Sequence, residues 1–594
     1  MKQFFKMFFA SMLAMIIGGV ILVGITIGLI VNAVSKAEED GTKVEIAYNS
    51  VLVIDLDKAF HEQGEKNSFA AFSDDDAYSA GVYDVVHSLE KAKDDDKIDG
   101  VLIKLSGTPN GWATLQQLRA AIADFKTSKK FVYAYGENIP QRAYYIASAA
   151  DSIFLNPMGD IELKGFATVM PFFKGTLDKL EIQPEIFYAG KFKSATEPLR
   201  AYEMSPENRQ QITEFQADFW KEFMSAVSEH TKADTATIYQ WTATGAIQFP
   251  EDALKYKLVD GLNYWDEVEQ RLKAKTDREE KEAVKYVSID DYAENVRRNR
   301  KMKDDHIAVL FAEGAIVDGE EEDQYQIASE TFVEQIRKVA KNDKVKAVVL
   351  RVNSPGGSAL ASEVILRELD LLKKKKPLVV AMGDVAASGG YYISCKADSI
   401  FAMPNTITGS IGVFGVLFNI ENMMKNKLGV SFDEVKNAPY ADFPTAARAL
   451  TPDESARMQR MVDNIYNIFK SRVAMGRKMP VENVDSIAQG RVWSGEDALR
   501  LGLIDGYGDV NRAIASASKL AKLKEYQVVT YPEPADKFEM MLRRFKGSSA
   551  SAEVMKAAIE KELGGDYEFL KQMRELKHMN GKTLMALPFG FNIR

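Results

Sequence analysis

Along most of this chain, short apolar runs alternate with segments of helical period. Val348-Val349-Leu350-Arg351-Val352 reads as a buried strand, and Ala361-Ser362-Glu363-Val364-Ile365-Leu366-Arg367-Glu368-Leu369 as an amphipathic helix. Pro377-Leu378-Val379-Val380-Ala381-Met382 predicts the next strand, and Tyr391 to Lys396 opens another helix. Strands separated by crossover helices imply parallel pairing and an α/β fold. Lys43 to Leu56, rich in Val and Ile, predicts an entry strand, and Ile307-Ala308-Val309-Leu310-Phe311 predicts another.

The pattern is written twice. Lys97-Ile98-Asp99-Gly100-Val101-Leu102-Ile103 recurs as Lys344-Val345-Lys346-Ala347-Val348-Val349-Leu350. Tyr144-Tyr145-Ile146-Ala147 recurs as Tyr391-Tyr392-Ile393-Ser394, and Asp151-Ser152-Ile153-Phe154 as Asp398-Ser399-Ile400-Phe401, at a constant offset of 247 residues. Each copy closes on a similar phrase, Glu251-Asp252-Ala253-Leu254 to Gly261 and Glu496-Asp497-Ala498-Leu499 to Gly506, which predicts a helix, a turn and a short strand. The expected repeats are 43–272 and 300–531. Residues 273–299 between them open on the charged run Lys273 to Glu282 and read as a linker or solvated helix. Residues 532–594 have no counterpart and predict an amphipathic helical tail with an extended end.

The N-terminus departs from this pattern. Met7 to Val34 carries no charge, and Ser11, Thr26 and Asn32 are its clearly polar members. That length spans about 30 Å of hydrocarbon. Lys2 and Lys6 precede it and Glu38, Glu39 and Asp40 follow, so the positive-inside rule puts residues 1–6 in the cytoplasm and the bulk of the chain outside. A cleaved signal peptide has a shorter apolar core and a small-residue cleavage site, so an uncleaved single-pass anchor over 7–34 is expected, in contact with membrane lipid.

Composition narrows the function. The 594 residues are 46% hydrophobic and 27% charged, which is ordinary for globular domains and too long for one core. A net charge of −9 argues against nucleic acid as a partner. The single cysteine, Cys395, excludes an internal disulfide and a Cys-based zinc site, and reads as a small core residue. Five scattered histidines show no metal-ligand spacing.

Two glycine-rich turns in the second repeat carry candidate chemistry. Ala386-Ala387-Ser388-Gly389-Gly390 sits between a strand and a helix, where a serine is presented with backbone N–H groups beside it. Such a serine is ordinarily a helix cap. The first repeat, however, has Gln141-Arg142-Ala143 at this offset, so the architecture does not require Ser-Gly-Gly. Asn353-Ser354-Pro355-Gly356-Gly357-Ser358 also follows a strand, and adjacent glycines there can offer amides to an oxyanion. Pro109 stands where Gly356 does, and proline has no N–H. The half that lost the serine has lost this turn as well. Ser354 and Ser358 are rival nucleophiles that turn and N-cap roles explain.

A serine nucleophile needs a base. No histidine lies near either turn in sequence, although a triad assembled in space stays open. A neutral lysine is the other option, and the first repeat holds Gly190-Lys191-Phe192-Lys193-Ser194-Ala195-Thr196-Glu197-Pro198. At the repeat offset Lys193 falls on Tyr440, so the half that keeps the serine lacks this lysine.

With Lys-Ser-Ala-x-Glu-Pro in repeat one, and Ser-Pro-Gly-Gly, Ala-Ser-Gly-Gly-Tyr and Thr408-Gly409-Ser410-Ile411-Gly412 in repeat two, the chain resembles the long, two-repeat form of the signal peptide peptidase A family, the S49 serine peptidases. The similarity runs from the anchor to about Tyr531. It implies tandem crotonase/ClpP-like repeats, Lys193 as general base, Ser388 as nucleophile and Ser410 as a support for the lysine amine. Gly389, with Gly356 or Gly357, would bind the oxyanion, and neither metal nor cofactor is called for. It further implies remnant signal peptides and other apolar peptides as substrates, a homo-oligomer, and a site on the outer, periplasmic face of the cytoplasmic membrane.

A lysine base must be uncharged, which requires a pKa depressed by about 3 units through desolvation. Glu197 is therefore expected to point away from Lys193. Two other readings compete. A crotonase-type acyl-CoA enzyme shares the oxyanion geometry, but its CoA substrate is missing outside the cytoplasm. A non-catalytic membrane scaffold leaves Ser388 and Lys193 unexplained.

Overall fold

The apolar runs of the first half become β1 (Ser50–Asp55), β2 (Glu65–Lys66), β3 (Tyr78–Ser79), β4 (Ile98–Leu105), β5 (Phe131–Ile139), β6 (Ser152–Ile161), β7 (Gln183–Ala189), β8 (Gly261–Leu262) and β9 (Lys285–Ser288). Those of the second half become β10 (His306–Glu313), β11 (Ala315–Val317), β12 (Gln326–Ala328), β13 (Val345–Ser354), β14 (Gly356–Ser358), β15 (Leu378–Ala387) and β16 (Ser399–Ala402). They continue with β17 (Ile407–Gly409), β18 (Val413–Asn419), β19 (Val492–Ser494), β20 (Gly506–Tyr507), β21 (Gln527–Tyr531) and β22 (Thr583–Ala586). The structure, a computed structural model, describes Met7 and residues 45–67, 77–300, 302–321, 325–534, 581 and 583–587. All of the proposed anchor but Met7, and the helical part of the tail, lie outside them. Among the described residues no helix is long and apolar enough to cross a membrane.

Each half builds a parallel sheet. The first runs β8-β6-β5-β4-β1-β9 and the second β19-β17-β15-β13-β10-β21, with β16 and β20 branching from β15. Only the β17–β19 pair is antiparallel among these. The central strands are apolar on both faces because helices cover them. Val348, Val349 and Leu350 are wholly buried. The helix Ala359–Lys373 turns Ile365, Leu366, Leu369 and Leu372 inward, at the helical spacing the sequence shows. The repeats meet through a buried ion pair, Arg351 Nε to Glu62 Oε2 at 2.6 Å.

One boundary needs correction. Residues 273–299 are not a linker: β9 pairs in parallel with β1, and the helix Ile289–Arg298 buries Ile289, Tyr292 and Ala293. The charged run ends at Glu282, and the apolar positions after it (Val284, Val287, Ile289) supply the burial that a solvated segment lacks. The entry strand is also shorter than Lys43 to Leu56, starting at Ser50.

A third sheet, β12-β11-β14-β22-β18-β7, joins the halves. Strand β7 comes from repeat one and pairs antiparallel with β18 of repeat two, Ala189 opposite Val413. The residues that correspond to β7 in repeat two, 430–436, form no strand and are exposed. This crossing is what carries repeat one's turn after Ala189 into the second repeat.

Candidate active site

Strands β15 and β17 end side by side, with Ala387 paired to Gly409. The next residues are Ser388 and Ser410. Ser388 has φ 54° and ψ −111°, a conformation non-glycine residues rarely adopt. Its N–H donates to Gly409 O at 2.8 Å, and its own carbonyl accepts from Tyr392 N–H at 2.8 Å. The strained turn is thus held from both sides, which is the usual condition for strain to persist. Ser388 is fully buried.

Lys193 arrives from the other repeat. After β7 the chain turns at Gly190 (φ 99°), and Phe192 N–H donates to Gln489 O at 2.9 Å. Gln211, on the helix Pro206–Thr231, donates to Ser194 Oγ at 3.0 Å and accepts from Val492 N–H at 3.1 Å. One side chain therefore clamps the lysine turn to β19. The Lys193 amine lies 3.0 Å from Ser388 Oγ and 3.0 Å from Ser410 Oγ, and 3.4 Å from Ser410 O.

Lys193 is 1% exposed, and burial alone lowers its pKa from 10.5 to about 7. Among the described residues no carboxylate opposes this. Glu197, four residues on, is turned to the start of the helix Pro206–Thr231, where it accepts from Ser205 Oγ at 2.5 Å and Asn208 Nδ2 at 2.8 Å. Removing the compensating charge is what lets desolvation act.

The two glycine turns meet as well. A Cβ on Gly389 would come within 3.1 Å of Gly356 Cα and Gly357 N. Gly356 N–H donates to Ser354 Oγ at 3.2 Å, and Gly357 is paired with Ile316 of β11 and Met585 of β22. Ser358 caps the helix Ala359–Lys373 through Ala361 N–H and donates to Asp318 at 2.7 Å. The rival serines therefore have turn and cap roles. Lys191 is exposed and stands over the Phe192 ring. Cys395 is buried in the core, its thiol pushed up to about 12 by desolvation.

Reading the sequence missed the residues that press on the lysine stem. A Cβ on Gly490 (φ 73°) would lie 2.6 Å from Lys193 Cβ, and one on Gly412 would lie 3.1 Å from Lys193 Cδ. Gly412 closes the Thr408–Gly412 motif without a role of its own there and Gly490 lies in no motif, so only the fold reveals their contact with the lysine. Gly490→Ala is expected to displace the lysine and lower kcat by about 10–100-fold. Steady-state kinetics of that variant, beside its melting temperature, check this.

The profile of Peptidase family S49 matches residues 124–279 and 370–524, and that of Clp protease matches residues 298–408. A "Protease 4" of Salmonella typhi is 37% identical over 89% of this chain and 86% of its own length. A "Protease 4" of Haemophilus influenzae is 35% identical over 75% of this chain and 73% of its own. "Serine protease SPPA, chloroplastic" of Arabidopsis thaliana is 32% identical over 75% and 66%.

Proposed function

The chain belongs to peptidase family S49, and on that footing we propose that it is a membrane-anchored serine endopeptidase working through a Ser388–Lys193 dyad. The observation that carries the reading is the 3.0 Å contact between the lysine amine and the Ser388 hydroxyl. A large share of the amine is neutral at physiological pH, since its pKa of about 7 comes from burial with no carboxylate partner among the described residues.

Lys193 takes the Ser388 Oγ proton as the oxygen attacks the peptide carbonyl carbon. The oxyanion forms against the Gly389 amide, beside the Gly356–Gly357 turn, whose Gly356 N–H is held by Ser354 Oγ. The lysine ammonium then returns its proton to the leaving amine, giving an acyl-enzyme ester. Water, deprotonated by Lys193, releases the acid and restores the serine. Ser410 Oγ holds the amine during both transfers. The substrates are remnant signal peptides and other apolar peptides, reached from the outer face of a membrane by a chain anchored through residues 7–34, in a homo-oligomer.

A fluorophosphonate probe tests the nucleophile. Mass spectrometry of the labelled full chain is expected to place the adduct on Ser388, with hydrolysis of apolar peptides blocked in proportion. An adduct elsewhere, or hydrolysis that continues after complete labelling, overturns the assignment.

A further inference from the structure

One residue of the lysine motif is left without a task. Glu197 lies four residues after the base in Lys-Ser-Ala-x-Glu-Pro and is 2% exposed. A buried carboxylate must find donors, and here they have to be donors other than the lysine amine. Glu197 Oε1 accepts from Ser205 Oγ at 2.5 Å. Its Oε2 accepts from Ser205 N–H at 3.3 Å and from Asn208 Nδ2 at 2.8 Å. The cation beside it is Arg200, at 3.8 Å.

From Glu197 the bonds run on in one direction. A carboxylate can only accept, so Asn208 turns its Nδ2 to Glu197 and keeps its Oδ1 for the next turn of the helix. There Oδ1 accepts from Gln211 Nε2 at 3.0 Å. The same Nε2 donates to Ser194 Oγ at 3.0 Å and Phe192 O at 3.4 Å, on either side of Lys193. Gln211 is left with its Oε1, which accepts from Val492 N–H of the second repeat at 3.1 Å. A backbone N–H can only donate. The two ends of the series therefore fix the orientation of both amides, since turning either one over would set acceptor against acceptor and donor against donor.

Repeat two lacks this series. Its matching helix, Pro452–Arg477, starts from Thr451-Pro452-Asp453-Glu454 where repeat one has Ser205-Pro206-Glu207-Asn208. Glu454 stands at the position of Asn208 and pairs with Arg448. Arg457 stands at that of Gln211, exposed and paired with Asp453. Like Lys193, the series belongs to the half that supplies the base, which a helix-capping role common to both halves would not explain.

We propose that Glu197 is a positioning residue that acts through Asn208 and Gln211 to dock the lysine turn on Val492 and so keep the Lys193 amine out of water. It rests on the reading of Lys193 as the base. The groups that face the amine are the Ser388 and Ser410 hydroxyls, the Ser410 carbonyl and the Phe414 ring. The charge on the amine therefore follows its burial. With the series broken the turn loosens, water reaches the amine, and the amine keeps its proton to higher pH.

The test is kcat/KM of the full chain in detergent, from pH 5.5 to 10 with an apolar peptide, for the parent, Glu197→Gln, Gln211→Met and the double variant. Glutamine keeps the volume of Glu197 without its acceptor-only end, and methionine keeps the volume of Gln211 without its bonds. Each single variant is expected to move the acid limb upward by about one pH unit, lowering kcat/KM about tenfold at pH 6 and leaving it within about threefold of the parent at pH 9.5. Because Glu197 acts through Gln211, the double variant is expected to lose no more than Gln211→Met alone. Hydrogen exchange at the Val492 amide is expected to quicken in both single variants. A loss of activity equal at every pH, a double variant in which the two losses multiply, or a Val492 amide indifferent to Glu197→Gln makes these side chains packing alone and overturns the proposal. Turnover that survives in Lys193→Met is a separate failure, that of the dyad, and exchange at Val492 then still decides whether Glu197 docks the turn.

Discussion

Lys193→Met is expected to lower peptide turnover by about 10⁴-fold at pH 7 and, at the same pH, to make the protein more stable. Loss of the proton acceptor accounts for the first effect: removing one member of such a catalytic unit costs nearly what removing all of them does. The second follows from linkage. In the fold the lysine titrates near 7, against 10.5 when unperturbed. The unfolded chain therefore holds more protons than the folded one between those values, and stability rises with pH across that window. Below pH 7 the folded state carries the full penalty, roughly 5 kcal/mol for a gap of this size. Methionine has similar length and no charge to desolvate. It also leaves the hydroxyls of Ser388 and Ser410 without their amine partner, at about 1–2 kcal/mol each. The net gain is about 1–3 kcal/mol at pH 6, and the sign reverses by pH 10.5, where the parent lysine no longer pays. Melting temperatures of both proteins at pH 6 and pH 10, with kcat/KM from pH 5.5 to 9, check both halves. The parent's kcat/KM is expected to rise with pH through about 7 and then level. A parent more stable than Lys193→Met at pH 6 means that the fold does not penalise the ammonium, so the amine stays charged well above pH 7, and the dyad is then wrong.

Much of the second repeat was legible because its strands are buried on both faces. Val348–Val352 and Pro377–Met382 are continuous apolar runs that admit few other structures, and the 247-residue offset carries each reading over to the first repeat. Ser388 was legible for the opposite reason: repeat one does without it. Lys193 was less so, because it lies 195 residues from Ser388 and reaches it through β7 pairing across the repeats. No local pattern in Gln183–Ala189 says that its partner strand belongs to the other half. The segment at 273–299 misled because nine charged and polar residues among its first ten mask a four-residue edge strand. Strand β22 was legible only as an extended end. Thr-Leu-Met-Ala has no alternation strong enough to name a partner, and its pairing depends on a groove that exists only after both repeats have folded.

Placing nucleophile and base on different repeats has an energetic consequence. The lysine is desolvated only when its turn is docked on Gln489, Gly490 and Gly412. A chain with the repeats apart would keep a solvated, protonated amine with no catalytic use. Docking of the repeats and activation of the base are thus one event, with the Arg351–Glu62 pair and Gln211 among the contacts that hold it.

Ser388→Ala and Ser388→Gly are expected to abolish turnover alike, by about 10⁴-fold or more, yet to differ in stability. Both lack the attacking oxygen, so neither hydrolyses peptide nor takes up a fluorophosphonate. They diverge because φ 54° with ψ −111° strains any residue that has a Cβ. Alanine keeps that strain, on the order of 1–3 kcal/mol. Glycine releases it, while giving back about 0.4–1 kcal/mol through the greater freedom of its unfolded chain. The glycine variant should therefore be the more stable of the two by about 1 kcal/mol. Chemical denaturation of the two inactive proteins measures this difference without interference from catalysis or self-digestion. An alanine variant as stable as the glycine variant means that the turn is relaxed, and that Ser388 is held by its neighbours' hydrogen bonds with no strain stored at the nucleophile. A glycine variant that is clearly more stable means that the fold spends part of its stability to keep one hydroxyl aimed at one amine.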